Sequence, residues 1–338
     1  MDGGRGVKRI TIKEIAKMAG VSVTSVSFVL NGKPGVSEET RARVQRIIDE
    51  SGFRPNLTSK KLLVNKSFNI CLLANPFSSP FEDLFYFEIT RGILNRSRRF
   101  GYSLTIDEPV QGGTELPDPV RRGDSDGIIF MQDIPGVLAE RAEASGLPFV
   151  VVDSHAMDPR VTSVNADYCG AARDAARCLI RHGHRDIALI ASSVVPEFRA
   201  QTLAGFAKAM EEAGLPIDPA FTGIAVTGEE SAYQAARRLL TAGKRPTAIL
   251  CTVDIFAIGA MRCARDLGLI VPDDVSFIGI DDILLSRYTE PRLSTVGIDK
   301  ERMGELAMDM LLQRLRGESP ESALLPMQLI ERDSVRTL

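Results

Sequence analysis

Residues 11–30 restrict the architecture of this chain more sharply than any other stretch. Thr11-Ile12-Lys13-Glu14 has the T-x-x-E form of a capping box, in which a threonine side chain and a glutamate side chain satisfy each other's backbone amides. A helix therefore starts at that point, with Ile12, Ile15, Ala16 and Ala19 on one apolar face. Ala19-Gly20-Val21 breaks the period, and Ser22 can cap a second helix running to about Leu30. Two short helices joined by a glycine-containing turn describe a helix-turn-helix. Ser37, followed by Glu38 and Glu39, opens a third helix whose inner face is Val44, Ile47 and Ile48.

On the second helix, Val26, Val29 and Leu30 cluster on one side, while Thr24 and Phe28 fall opposite them. An exposed Phe facing away from so small a core suits the major groove, where Phe, Val and the Thr methyl can meet the thymine methyl group. Covering by another part of the protein is the plainer alternative. Charge supports the nucleic-acid reading. The formal net charge of −3 is the sum of +7 over residues 1–66 (13 Lys and Arg, 6 Asp and Glu) and −10 over the remainder (28 against 38). A basic head on an acidic body fits a polyanion-binding unit carried by a larger unit that avoids polyanions.

The run TIKEIAKMAGVSVTSVSFVLNGKPGVSEETRARVQRIIDESGFRPNLTSKKL resembles the DNA-binding headpiece of the lactose-repressor (LacI/GalR) family over about fifty residues. The resemblance implies base reading by Val23, Thr24 and Phe28, with Ser22, Ser25, Ser27 and Asn31 near the phosphates. Position 28 often carries Arg or His in the family. Phe28 cannot make a bidentate guanine contact, which favours a thymine or shape preference. In the family the following segment is a hinge helix, which forms on DNA when two subunits pair it across the minor groove. Such a short helix is marginal alone. Leu62 falls where the family places a wedge into a base step, and Ser59 and Lys60 replace the usual Ala-Arg.

Beyond Ser67, short apolar runs alternate with amphipathic helical stretches, the pattern of parallel α/β architecture. Strands are expected at 70–74, 102–106, 127–131, 149–152, 187–191, 248–252 and 275–280. Helices are expected at 89–99, 171–182, 203–213, 232–240 and 256–267. Gly146, Gly214 and Gly268 each read as the cap that ends a helix.

Stretches such as LIRHGHRDIALI, RAQTLAGFAKAMEEAGL and LGLIVPDDVSFIGIDD resemble the periplasmic-binding-protein-like core of the same family. The resemblance implies an all-α headpiece (9–54), a hinge (55–66) and a core (67–338) of two doubly wound parallel-sheet subdomains. The N-subdomain would take about 67–165 and 297–324, and the C-subdomain about 166–296 and 325–338, with three chain crossings between them. A cleft between the subdomains would hold a small-molecule effector, carbohydrate-like in most of the family. By the motif match, Arg199 stands where the family often holds a sugar hydroxyl or carboxylate, and Asp281 is the acidic partner from the other wall. Asp153, at a strand end, is a further candidate.

The chain departs from the pattern in three places. Val253 precedes Asp254 where the family has Asn, removing an amide donor. NPFSSPFEDLFYFEITRG is longer than the usual loop, and its aromatics could stack on a ring or fill a core. Pro117 and Pro119 make a long helix improbable where the family runs one.

Other classes fare badly. Phosphate loops (G-x-x-x-x-G-K-[ST], G-x-G-x-x-G) and the G-x-S-x-G elbow are absent from the sequence, so no enzymatic activity and no cofactor are expected. The three histidines sit away from metal-ligand patterns, and RHGHR reads as a cationic helix end. Five scattered cysteines without a C-x-x-C pair imply neither a disulfide framework nor a zinc site. With no signal peptide and no membrane span visible, the expected place is the cytoplasm. These readings converge on a homodimeric repressor binding a near-palindromic double-stranded operator under effector control. An effector-independent DNA-binding protein or a solute-binding protein is the alternative.

Overall fold

The computed structural model describes residues 10–30, 33–51, 53, 66–74, 79, 81–110, 114–156 and 158–338. The chain divides into two compact units, Met1–Ser67 and Phe68–Leu338.

In the first unit, α1 (Ile12–Ala19), α2 (Val23–Leu30) and α3 (Glu38–Ser51) enclose a small core of Ile15, Ala16, Ala19, Val26, Val29, Val44, Ile48 and Phe53. The capping box is complete: the Thr11 amide donates to Glu14 Oε2 (2.7 Å) and the Glu14 amide to Thr11 Oγ1 (3.4 Å). Gly20 ends α1 at φ 63°, a left-handed conformation that glycine adopts without a Cβ penalty. Ser22 Oγ then accepts from the Ser25 amide (3.1 Å), starting α2. Ser37 Oγ does the same for the Thr40 amide at the head of α3. Leu30 and Ile47, expected inside, are only partly buried and pack on the rim of this core.

The second unit holds two six-stranded sheets. One is built from β1 (Asn69–Leu73), β2 (Ser103–Asp107), β3 (Gly127–Met131), β4 (Phe149–Val152), β5 (Ser163–Ala166) and β11 (Ala323–Leu325), in the order β11-β5-β4-β3-β1-β2, all parallel. The other contains β6 (Ile187–Ser192), β7 (Thr222–Ala225), β8 (Ala248–Cys251), β9 (Ser276–Asp281), β10 (Ser294–Gly297) and β12 (Gln328–Ile330). Its order is β12-β10-β9-β8-β6-β7, with β12 alone antiparallel.

Helices α4 (Leu84–Arg99), α5 (Asp118–Arg121), α6 (Gly136–Ala144), α7 (Tyr168–Arg181), α8 (Pro196–Glu212), α9 (Gly228–Leu240), α10 (Asp254–Asp266) and α11 (Lys300–Arg314) surround the sheets. Ile70, Leu72 and Ile129 face one core while Cys71, Leu73 and Ile128 face another. Sheets covered on both faces are why these strands read as unbroken apolar runs.

The chain crosses from the first sheet to the second after β5, returns after β10 through α11, and crosses again between β11 and β12. α11 packs on α4, β3, β4 and β5 of the first sheet. The proline-rich segment forms only the four-residue α5, with prolines at its entry. No helix among the described residues is long and apolar enough to cross a membrane.

Candidate functional site

Two surfaces carry the sequence-predicted residues. The first is the start of α2. Val23 is 41% exposed and Thr24 is exposed, both in the turn that Ser22 caps. The Ser22 hydroxyl is occupied by the Ser25 amide and by Ser25 Oγ (2.9 Å), and the amides at the start of a helix have no partner within it. Ser25 and Ser27 are half-buried. Phe28 differs from the exposed ring expected: it is half-buried, with its ring edge against Gly35. A Cβ on Gly35 would lie 2.9 Å from Phe28 Cε2, and Gly35 holds φ 117° there. The turn before α3 thus folds back along one side of the ring. Asn31, Ser59, Lys60 and Leu62 lie outside the described residues.

The second surface is a cleft of about 600 Å³ in the core, lined from both sheets. Its polar groups stand at the carboxyl ends of parallel strands, where open α/β sheets bind ligands. Gln132 follows β3, Asp153 follows β4 and Asp281 ends β9. All three have positive φ (65°, 64° and 120°), unusual for residues other than glycine. Non-glycine residues in such conformations cluster at ligand clamps.

Asp153 is buried, and both its oxygens are taken: Tyr168 Oη donates to Oδ1 (2.7 Å) and Tyr86 Oη to Oδ2 (2.8 Å). Gln132 Nε2 in turn donates to Tyr86 Oη. Burial first, then the negative Asp153, hold both phenols well above their ordinary range, so each keeps its proton and donates. His155 sits between two carboxylates, with Nδ1 3.1 Å from Asp133 Oδ2 and Nε2 3.7 Å from Asp153 Oδ2. Its ring stacks on Tyr168 (5.4 Å between centroids) and meets the edge of Phe198 (5.3 Å). Burial disfavours the imidazolium, but Asp153 and Asp133 together outweigh it and raise the His155 pKa above 6.5. Asp133 itself is buried enough to be pushed up. The His155 ring and the Ala156 amide nonetheless hold it below its usual value.

Asp281 is 6% exposed and lines the cleft, yet its carboxyl has no hydrogen-bond partner among the described residues. Lys300 Nζ donates to the main-chain carbonyls of Asp281 (2.7 Å) and Asp282 (2.9 Å), not to the carboxylate. Burial, then Asp254, push the Asp281 pKa well above the carboxylate range. The neighbouring Asp282 has the opposite fate and pairs with Arg332 and Arg287. Asp254 accepts from Ser286 Oγ (2.6 Å), Thr295 Oγ1 (2.6 Å) and the Ile283 amide (3.1 Å), fixing the turn that carries Asp281. Beside it Val253 adds an apolar contact to the cleft.

Arg199, on α8, is half-buried and is not among the cleft-lining residues. Its neighbour Phe198 lines the cleft instead. Gln201, further along α8, reaches across to the His155 carbonyl (2.9 Å).

Cys178, His182 and Glu331 bring ligand-type atoms within 4.8 Å of one another. Glu331 is already shared by Arg181 (3.2 Å) and His182 (3.5 Å), and burial pushes the Cys178 thiol up to about 11. Ion pairing accounts for that cluster. His184 is spoken for by Thr247 Oγ1 and the Arg336 carbonyl.

Sequence reasoning did not place Tyr86 at the site, set His155 aside with the other histidines, and missed Tyr168, Asp133, Gln132 and Phe198 altogether. The signal for His155 was in reach: it lies two residues beyond Asp153 at a strand end.

Comparison with known proteins places both surfaces in context. Residues 11–56 match the model for bacterial regulatory proteins of the lacI family, and residues 176–335 match a periplasmic binding protein-like domain. The HTH-type transcriptional repressor PurR of Pasteurella multocida (strain Pm70) is 33% identical over 338 residues, covering 97% of this chain and 99% of its own. PurR of Escherichia coli O139:H28 (strain E24377A / ETEC) is 36% identical over 340 residues, 96% of each chain. Among solved structures, the lac repressor dimer bound to operator and the anti-inducer ONPF superposes with a TM-score of 0.81 at 26% identity, covering 97% of this chain and 100% of that one. The transcriptional regulator CelR in complex with cellobiose gives 0.73 at 28% identity, covering 96% and 100%. With a lacI-type headpiece and near end-to-end likeness to PurR repressors, the chain belongs to the LacI family of DNA-binding transcriptional regulators.

Proposed function

We propose that this protein is a dimeric repressor whose affinity for a near-palindromic operator is set by a small molecule in the core cleft. The observation that carries the effector part is Asp281, a buried residue lining the cleft whose carboxyl has no hydrogen-bond partner among the described residues. A ligand supplying a donor would remove that deficit. It would also draw together walls contributed by both sheets, giving the differential affinity for two states that allosteric control requires. Asp153, saturated by two tyrosines, serves as the scaffold of the site rather than as a ligand contact. Arg199 is given no ligand contact, since it is not among the described lining residues of the cleft.

In the headpiece, Val23 and Thr24 read base edges, and Phe28 contributes its free edge. Ser22, Ser25, Ser27 and Asn31 lie along phosphates, which the open amides at the head of α2 also favour. Ser59, Lys60 and Leu62 form the minor-groove hinge. Dimerisation is supported by Phe87, Leu284, Leu285 and Tyr288, all large and at least 43% exposed on the core. Glu88 and Arg287 line one shared cavity beside them.

The test is twofold. Operator sequences selected from random duplex by the full chain should be near-palindromic, and the combined Val23→Ala and Thr24→Ala change should abolish the selection. Calorimetric titration with a panel of sugars and related metabolites should give heat with at least one, and that compound should shift operator affinity. Selection without any such shift would leave the effector-independent reading.

A further inference from the structure

We propose that the cleft takes a ligand bearing a protonated amine on a flat or apolar frame and rejects anionic ligands. This rests on the reading of the cleft as an effector site and narrows the chemistry of the effector.

Glu82, Asp83, Asp153, Glu229 and Asp281 line the cavity, and neither lysine nor arginine is among the described lining residues. The stretches 75–78, 80, 111–113 and 157 contain no lysine or arginine either. Among the described lining residues the one basic side chain, His155, has a carboxylate on each side, Asp133 and Asp153. What remains is acidic, and among the described lining residues only Asp281 is deeply buried with no hydrogen-bond partner for its carboxyl. Behind it Lys300 spends two of its hydrogens on main-chain carbonyls.

An ammonium placed at Asp281 would favour the ionised form that burial and Asp254 oppose, and the pair would then form a charge-assisted bond, roughly twice as strong as the neutral bond a hydroxyl offers. The aromatic residues Tyr86, Phe198 and Phe256 line the same cavity, and aromatic rings suit a cation and a planar frame. A carboxylate or phosphate in the same place would add a negative group to a wall of acidic residues with neither lysine nor arginine among its described members to offset it, which disfavours binding.

The test uses three probes with one carbon frame and three charges, titrated calorimetrically into the full-length protein at neutral pH. They are tyramine, 4-hydroxyphenethyl alcohol and 3-(4-hydroxyphenyl)propionate. Tyramine should bind at least about tenfold more tightly than the alcohol, and the propionate should not bind up to about 10 mM. Asp281→Asn should erase the preference for the amine, and Asp281→Glu should keep it. Equal affinity for amine and alcohol, binding of the propionate, an amine preference that survives Asp281→Asn, or no binding of any probe would each overturn the proposal. Should Asp281→Asn fail to fold, the three probes on the unaltered protein decide.

Failure of the broader reading looks different. Amine-selective binding that leaves operator affinity unchanged would end effector control and leave the charge selectivity standing. A sugar that shifts operator affinity without any amine preference would do the reverse.

Discussion

Tyr168 donates its phenolic hydrogen to Asp153 Oδ1 at 2.7 Å, and that bond joins the end of β4 in one sheet to the first residue of a helix packed on the other. The cleft is thus organised around a carboxylate whose two oxygens already accept from Tyr168 and Tyr86. Removing the donor leaves a buried carboxylate oxygen short of a partner. Tyr168→Phe should lower stability by about 1–3 kcal/mol, read from urea melts. A double-mutant cycle with Asp153→Asn should show coupling between the two positions. Strict additivity would mean the bond contributes nothing.

His155 makes stability depend on pH. Its folded pKa lies above 6.5 because the pull of Asp153 and Asp133 exceeds the opposing effect of burial. A group with a raised basic pKa contributes stability that is complete below about pH 6.5 and is lost as pH rises through the folded value. Thermal midpoints should therefore fall over that range, and His155→Gln should flatten this part of the curve. A variant curve parallel to that of the unaltered protein would remove His155 as the cause.

Asp254 acts in a lower window. Burial, only partly offset by the bonds from Ser286, Thr295 and Ile283, raises it from 3.8 to about 7. The folded state then holds a proton that the unfolded chain has released, so stability declines as pH climbs from about 4 to about 7. Asp254→Asn should reduce that decline, to which the raised Asp281 also contributes, as measured by denaturation at successive pH values.

Helix packing depends on missing side chains at Gly205 and Gly304. A Cβ on Gly205 would stand 2.0 Å from the Cys169 carbonyl, and one on Gly304 would stand 2.0 Å from that of Ile89. Backbone cannot yield as a side-chain tip can. Gly205→Ala and Gly304→Ala should each cost about 1–3 kcal/mol or more, although alanine is the better helix former. Unchanged melting of either would refute the close approach.

Much of the fold was legible because it rests on local chemistry. The capping box at Thr11, the turn at Gly20 and the apolar runs at 127–131 and 149–152 each have a one-to-one structural counterpart. Helix starts read too late. The amphipathic period begins at Ile89, whereas the cap is Asp83, and at Ala171, whereas the cap is Asp167. β5 and β7 escaped notice because S-V-N-A and T-G-I-A are not apolar runs. In β5 the polar residues are buried by pairing, as when Asn165 Nδ2 donates to Ser163 Oγ at 3.0 Å.

At the site, Asp153 and Asp281 were found as strand-end acids, but their different duties were not. That difference depends on Tyr86 and Tyr168, distant in sequence and brought together only by the sheets. Phe28 was placed on the face away from the core by helical geometry alone. The turn at Gly35 that covers one side of it could not be read from the helix.

The most direct test of the central claim, a basic DNA-reading headpiece joined to an acidic sensing core, is the salt dependence of operator binding. Residues 1–66 carry a net +7 and the remainder −10. Fluorescence anisotropy of the full-length protein with its selected operator, across about 50 to 300 mM salt, should give a log–log slope on the order of −4 or steeper, from counterions released at several phosphates. A slope near zero would contradict the account.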